Sequence, residues 1–171
     1  MKLLIVDDEE LTRTGVISSI DWQSIGIQEV LQADDGINGI EMARVHRPDI
    51  VLCDVRMPRL DGIAMLEQLE EILPDIVPVF MSGYSDKEYL KAAIKLKAVN
   101  YIEKPLNPVE IRDAIMEARD LCLEKKRTRQ NASIHSMESA SRLALLLTQP
   151  FAHAKESIDQ LIAELSLSIS N

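Results

Sequence analysis

Along residues 1–124, short apolar runs rich in Val, Ile and Leu alternate with longer segments whose apolar residues recur every three or four positions. The runs fall at 2–6 ("KLLIV"), 27–33 ("IQEVLQA"), 49–53 ("DIVLC"), 77–81 ("VPVFM") and 99–102 ("VNYI"). Near-continuous apolar character suits strands covered on both faces, as in a parallel sheet. Between them, Ile63, Leu66, Leu69 and Leu73 form one stripe, and Ile111, Ile115, Ala118 and Cys122 another, so each helix has a single face to lay on the sheet. Ser85 with Glu88 reads as a capping box, while Asn107, Pro108 and Glu110 supply an N-cap, a first-turn proline and a capping acid. Pro48 and Pro74 close helices ahead of the next strand. Five βα units result, which predicts an α/β fold built on a parallel sheet.

Beyond Cys122 the apolar repeat fails in "LEKKRTRQNAS", which reads as a linker over 124–133. Helical stretches are predicted at about 134–148 and 152–168. In the second, Ala154, Ile158, Leu161, Ile162, Leu165 and Ile169 share a stripe. A hairpin packed on its own chain and a dimerisation element both satisfy that pattern. The predicted organisation is therefore a domain over 1–123, a linker over 124–133 and a helical extension over 134–171.

Charge supports the division. Residues 1–124 carry 13 Lys and Arg against 24 Asp and Glu, a net of −11, whereas 125–171 carry 6 against 4, a net of +2. The acidic part argues against a nucleic-acid surface, which needs clustered Lys and Arg. Lys125, Lys126, Arg127 and Arg129 form a basic cluster best read as a solvated linker. No apolar run approaches the roughly 20 residues of a bilayer span. Lys2 leads into "LLIVDDEE", where four acids cut a short apolar run, so no export signal is read and a cytoplasmic location is expected. Cys53 and Cys122 form no CxxC pattern and are expected to be reduced, structural thiols.

Chemistry is expected where the strands end, because in an open parallel sheet the carboxyl ends share one edge and ligands bind there. Asp7 and Asp8 follow the first run, Asp54 the third, Ser82 the fourth, and Lys104 the fifth after Glu103. Three carboxylates drawn together raise one another's pKa and destabilise the fold unless a cation compensates. Mg²⁺ suits them: it takes oxygen ligands, uses only one or two carboxylates, and leaves positions for a phosphate oxygen. Lys104 is a point charge able to pair with a carboxylate or phosphoryl group, and Ser82 can donate to a phosphoryl oxygen. The set points to phosphoryl transfer onto a carboxylate.

"VDDE", "LCDVRMPRLDG", "MSGY" and "YIEKP", in this order, resemble the receiver domain of two-component response regulators over about residues 1–122. The resemblance implies a doubly wound, flavodoxin-like sheet of order 2-1-3-4-5. It makes Asp54 the phosphoacceptor for a phosphohistidine on a sensor histidine kinase. Asp8 would bind Mg²⁺ with Asp54 and the backbone carbonyl of Arg56, and Asp7 would act through metal-bound water or as a further acid. Lys104, Ser82 and Gly83 would contact the phosphoryl group, with Ser82 and Tyr101 as the switch pair and Lys104–Pro105 a cis peptide. Arg56 and Gly83 occupy positions where the family tunes autodephosphorylation. Asp61 and Gly62 read as turn and helix-start residues, and Met57 and Pro58 as shaping the loop.

One departure is the stretch "SSIDWQSIGIQEV", in which Trp22 is expected at the surface. Similar insertions occur in regulators with AraC-type DNA-binding domains. No such domain is read in this chain, so the chain would be an amino-terminal piece and DNA would be met only through a domain absent from it. The expected output is transcription control, with homodimerisation on phosphorylation and no membrane contact. A haloacid dehalogenase-like phosphatase also forms an aspartyl phosphate with Mg²⁺, but it carries a DxDx motif after its first strand. Here the first run ends in adjacent acids, and Arg56 stands two places beyond Asp54, which favours a phosphoacceptor without an external substrate.

Overall fold

Each strand sends alternate side chains to opposite faces, and here that alternation makes two cores. In a computed structural model, which describes residues 1–83 and 98–147, the strands are β1 (Lys2–Val6), β2 (Glu29–Ala33), β3 (Ile50–Asp54), β4 (Val77–Ser82) and β5 (Asn100–Glu103). The described helices are α1 (Glu10–Ser19), α2 (Gly36–His46), α3 (Gly62–Ile72) and α4 (Pro108–Leu147). All strand pairs are parallel, in the order β2-β1-β3-β4-β5. Leu3, Ile5, Ile50, Leu52, Val79 and Met81 face one core with Val16 of α1 and Ile111, Ile115, Ala118 and Cys122 of α4. Leu4, Val6, Val51, Cys53 and Phe80 face the other with Ala43 of α2 and Met65, Leu66 and Leu69 of α3. The sheet is thus covered on both faces, which is why its strands read as unbroken apolar runs. Each fully buried Leu, Ile or Phe contributes about 1.5–3 kcal/mol, so both faces hold the sheet.

The helix starts follow from local chemistry. Asp35 and Asp61 cap α2 and α3, accepting from the Asn38 amide at 2.9 Å and the Ala64 amide at 2.7 Å. Asn107 caps α4 through the Val109 amide at 2.9 Å, and Pro108 takes the first helical position. The segment carrying the Ser85–Glu88 capping box lies outside the described residues, as does the stripe expected over 152–168.

Residues 124–133, read from the sequence as a linker, are helical, because α4 runs for 40 residues to Leu147 without a break. The end of the apolar repeat marks where burial stops. The helix itself continues on Lys, Arg, Gln, Glu and Ala, which are good helix formers. The chain divides into two units between Glu124 and Lys125, and the site described below lies in the first. Among the described residues, no helix is long and apolar enough to cross a membrane.

Trp22 is also placed differently from the sequence expectation. Only 7% exposed, it joins the α1–α4 core with Ile25 and Ile27 and donates its indole N–H to the Ile17 carbonyl at 2.9 Å. Arg119 of α4 secures the same loop by donating to the Ile25 carbonyl at 3.1 Å. The loop amides of Ile27 and Gln28 donate to the Trp22 and Met1 carbonyls at 2.9 and 2.8 Å, and β2 begins only at Glu29. Trp22 fluorescence should accordingly be blue-shifted and poorly quenched by acrylamide, and Trp22→Ala should lower unfolding free energy by about 3–5 kcal/mol in urea. Red-shifted, readily quenched emission would contradict the packing.

Candidate functional site

Strand register gathers the polar residues. Val6 pairs with Cys53, Asp54 with Met81, and Ser82 with Glu103, so Asp7, Asp54, Ser82 and Lys104 leave the sheet at one edge. The Lys104 ammonium donates to Asp7 Oδ2 at 3.0 Å and to Asp54 Oδ2 at 2.6 Å. The other oxygens are held by the backbone: Asp7 Oδ1 accepts from the Glu9 amide at 2.9 Å, and Asp54 Oδ1 from the Arg56 amide at 3.1 Å. Asp7 is fully buried and Asp54 is 7% exposed.

These surroundings set the charge states. Burial raises the Asp7 pKa above its ordinary value, against the lowering effects of the Glu9 amide and Lys104; the Asp54 charge adds to the rise. Burial alone would lower the Lys104 pKa, but its hydrogen bonds to Asp54 and Asp7 outweigh that, so it lies above its usual value and the ammonium stays protonated. Cys53, fully buried next to Asp54, is pushed well above the ordinary thiol range, first by burial and then by the neighbouring carboxylates. Both cysteines are free and buried, and Cys53 serves as packing.

Asp8 adds a third carboxylate at the exposed rim, and its charge has no hydrogen-bond or ion-pair partner among the described residues. Oxygen atoms of Asp7, Asp8 and Asp54 lie within 4.8 Å of one another. Three acids and one ammonium leave an excess of negative charge on an all-oxygen donor set, which is what a hard divalent cation such as Mg²⁺ requires. The residues present fit that ion.

The remaining predicted residues lie on or directly after β4 and β5. Ser82 is 3% exposed, and its carbonyl accepts the Lys104 amide at 2.8 Å, which ties the lysine to β4. Tyr101 lies opposite Phe80 across the β4–β5 pairing, half-buried against the α2–α3 core. Gly83 is exposed, with open space where a side chain would begin. The Lys104–Pro105 peptide is cis.

Sequence reasoning missed how closely the backbones approach. A Cβ on Gly62 would lie 2.2 Å from the Asp54 carbonyl oxygen, so α3 starts directly against the acceptor strand and no other residue fits. The Gly62 amide donates to Val55 O, and the Val55 amide to Met81 O, each at 3.0 Å. The Arg13 guanidinium, also unanticipated, donates to the Asp7 carbonyl at 2.6 Å. The sequence does hold a signal for the glycine: Asp-Gly occurs twice, at Asp35-Gly36 and Asp61-Gly62, ahead of an apolar helical repeat each time.

Comparison with known proteins agrees with this geometry. The response regulator receiver domain profile matches residues 3–116. A crystal structure of a two-component transcriptional regulator AraC from Clostridium phytofermentans superimposes with a TM-score of 0.70 and 50% identity, covering 74% of this chain and 98% of that one. The receiver domain of AraT, a response regulator from Geobacillus stearothermophilus, gives 0.66 and 31%, covering 75% and 97%. Among curated relatives, the transcriptional regulatory protein HptR of Staphylococcus aureus is 26% identical over 160 residues, 94% of this chain and 62% of the relative. An uncharacterized response regulatory protein of Staphylococcus epidermidis is 29% identical over 136 residues, 79% of this chain and 53% of the relative. The chain thus spans about half to three-fifths of the length of these two relatives. On its sheet order, its strand-end residues and the profile match across residues 3–116, the chain belongs to the response regulator receiver domain family.

Proposed function

We propose that Asp54 accepts a phosphoryl group from a phosphohistidine of a sensor histidine kinase, and that the resulting acyl phosphate alters the contacts this domain makes. The observation that supports this most is the Lys104 ammonium shared between Asp54 and Asp7, with Asp8 at hand. In the transfer, a carboxylate oxygen of Asp54 attacks phosphorus, the P–N bond breaks, and the imidazole leaves. Asp8, Asp54 and the Arg56 carbonyl would hold Mg²⁺, with Asp7 acting through water or as a further acid. When bound, the ion neutralises charge on the phosphoryl oxygens. Lys104 moves its charge from the Asp54 oxygen to the incoming phosphoryl group, while Asp7 keeps the ammonium positioned. The Ser82 hydroxyl and the Gly83 backbone complete the phosphoryl contacts, and Tyr101 follows Ser82 inward as the state changes. Hydrolysis of the acyl phosphate resets the switch.

The domain limits fit this role, with a receiver over 1–123, a helical connection over 124–133 and an extension over 134–171. The output is transcription control through homodimerisation, in the cytoplasm, with DNA reached through a domain other than this one. The family of AraC and HptR relatives supports that direction. The changing surface would be the face formed by β5, the amino-terminal part of α4 and the helix expected between β4 and β5, which lies outside the described residues.

Incubation with acetyl phosphate and Mg²⁺ should add about 80 Da, one phosphoryl group, to the intact mass. The adduct should be absent from Asp54→Asn and when the metal is chelated; an equal adduct on Asp54→Asn would overturn the assignment.

A second outcome follows from the raised Asp7 pKa. Because folding favours its protonated form, Asp7 supports stability below its unfolded value and this support is lost as pH rises through the folded value. Without divalent cation, Asp7→Asn should therefore raise the melting temperature at pH 7 and have no such effect at a pH below both values. In the native chain, Mg²⁺ affinity should fall as pH drops through the raised Asp7 value. A variant destabilised at pH 7 would contradict the burial effect.

A further inference from the structure

The loop between β3 and α3, residues 55–61, is held by groups that the transfer itself does not use. Arg59 has φ 67, in the left-handed region where a side chain is disfavoured and glycine is not. Its guanidinium pairs with the carboxylate of Asp35, which is 1% exposed, whereas the Arg59 side chain is 54% exposed. Asp35 uses its other oxygen to accept the Asn38 amide at 2.9 Å, so the arginine is tied to the amino end of α2. The neighbouring residues meet as well: a Cβ on Gly36 would lie 2.5 Å from the Leu60 carbonyl oxygen. At its far ends the same loop touches the acceptor, through the Arg56 amide on Asp54 Oδ1 and Gly62 against the Asp54 carbonyl.

We infer that the Arg59–Asp35 ion pair is a positioning device for the acceptor site, fixing the loop that carries the Arg56 carbonyl and thereby setting divalent-cation affinity and the rate of phosphoryl uptake. A residue serving only the turn would sit at φ 67 more easily as glycine. What the arginine adds is a charge paired with a buried acid on another element. The inference rests on the reading above, in which the Arg56 carbonyl faces the cation. It goes beyond it by naming two residues that touch neither metal nor phosphoryl group.

Two substitutions separate positioning from simple electrostatics. Arg59→Gly removes the pair and relieves the backbone; by charge alone, losing a cation near acidic residues would tighten Mg²⁺ binding. Asp35→Asn keeps an oxygen for the Asn38 amide but removes the charge; by charge alone it would weaken binding. Positioning requires both to weaken it.

The test is calorimetric titration of the 171-residue chain and each variant with MgCl₂, alongside initial rates of phosphorylation by phosphoramidate and thermal midpoints. The dissociation constant for Mg²⁺ should rise about tenfold in each single variant, the scale seen when groups that orient metal ligands are removed. The double variant should be no worse than either single, because both break one link, and every variant should still unfold cooperatively, so that lost affinity is read on a folded chain. Unchanged or tighter binding in Arg59→Gly, or additive losses in the double variant, would overturn the inference. Should Asp35→Asn fail to fold, Arg59→Gly and Arg59→Gln decide by the same criterion. If the unaltered chain binds no Mg²⁺, the parent reading falls and this one with it; if it binds and the variants match it, only the ion-pair inference falls.

Discussion

Two buried carboxylates share one ammonium, and the rest of the domain is arranged around that contact. Removing an ion from water costs several kcal/mol unless it is paired and hydrogen-bonded. Asp7 and Asp54 meet that condition only because Lys104 lies between them at 3.0 and 2.6 Å and a backbone amide holds each second oxygen. Asp7 and Lys104 are 97 residues apart in sequence. What brings them together is the sheet register, which in turn depends on two apolar cores covering both faces. The same charges explain why the site is poised rather than settled. Asp7 is kept partly against its preference, with its pKa raised by burial, so the site gains from any further positive charge at its rim, where Asp8 waits.

Close backbone approach also fixes the loops around this contact. Gly62 and Gly36 lie where a Cβ would overlap the Asp54 and Leu60 carbonyl oxygens, and each follows an aspartate that caps the helix it opens. Asp-Gly thus does two things at once: the acid satisfies the first amides of a helix, and the glycine lets that helix start against another backbone. A domain that must hold several oxygen atoms at one sheet edge needs such short-range rigidity, since a small displacement of the loop after Asp54 moves every oxygen it presents.

The strands and helix stripes were legible because a parallel sheet buried on both faces leaves unbroken apolar runs, and because each helix shows only one apolar face. Asp7, Asp54, Ser82 and Lys104 were legible because strand ends can be counted and their polar residues stand out against those runs. Trp22 was not, since its burial depends on α4, whose Arg119 lies 94 residues beyond Ile25, and nothing local to "SSIDWQ" reveals that. Residues 124–133 misled for a different reason: loss of the apolar stripe looks like the end of a helix, yet helix propensity and burial are separate properties. The Arg59–Asp35 pair and the tight fit of Gly62 escaped because they are relations between two loops, visible only once both are folded.

The most direct measurement is a crystal structure of the chain grown with Mg²⁺ and beryllium trifluoride, a mimic of the bound phosphoryl group. The account predicts the fluoride adduct on Asp54, the cation against oxygens of Asp8, Asp54 and the Arg56 carbonyl, and the Lys104 ammonium moved onto the adduct. An adduct on another residue, or Lys104 still bridging Asp7 and Asp54 beside an adduct it does not touch, would contradict it.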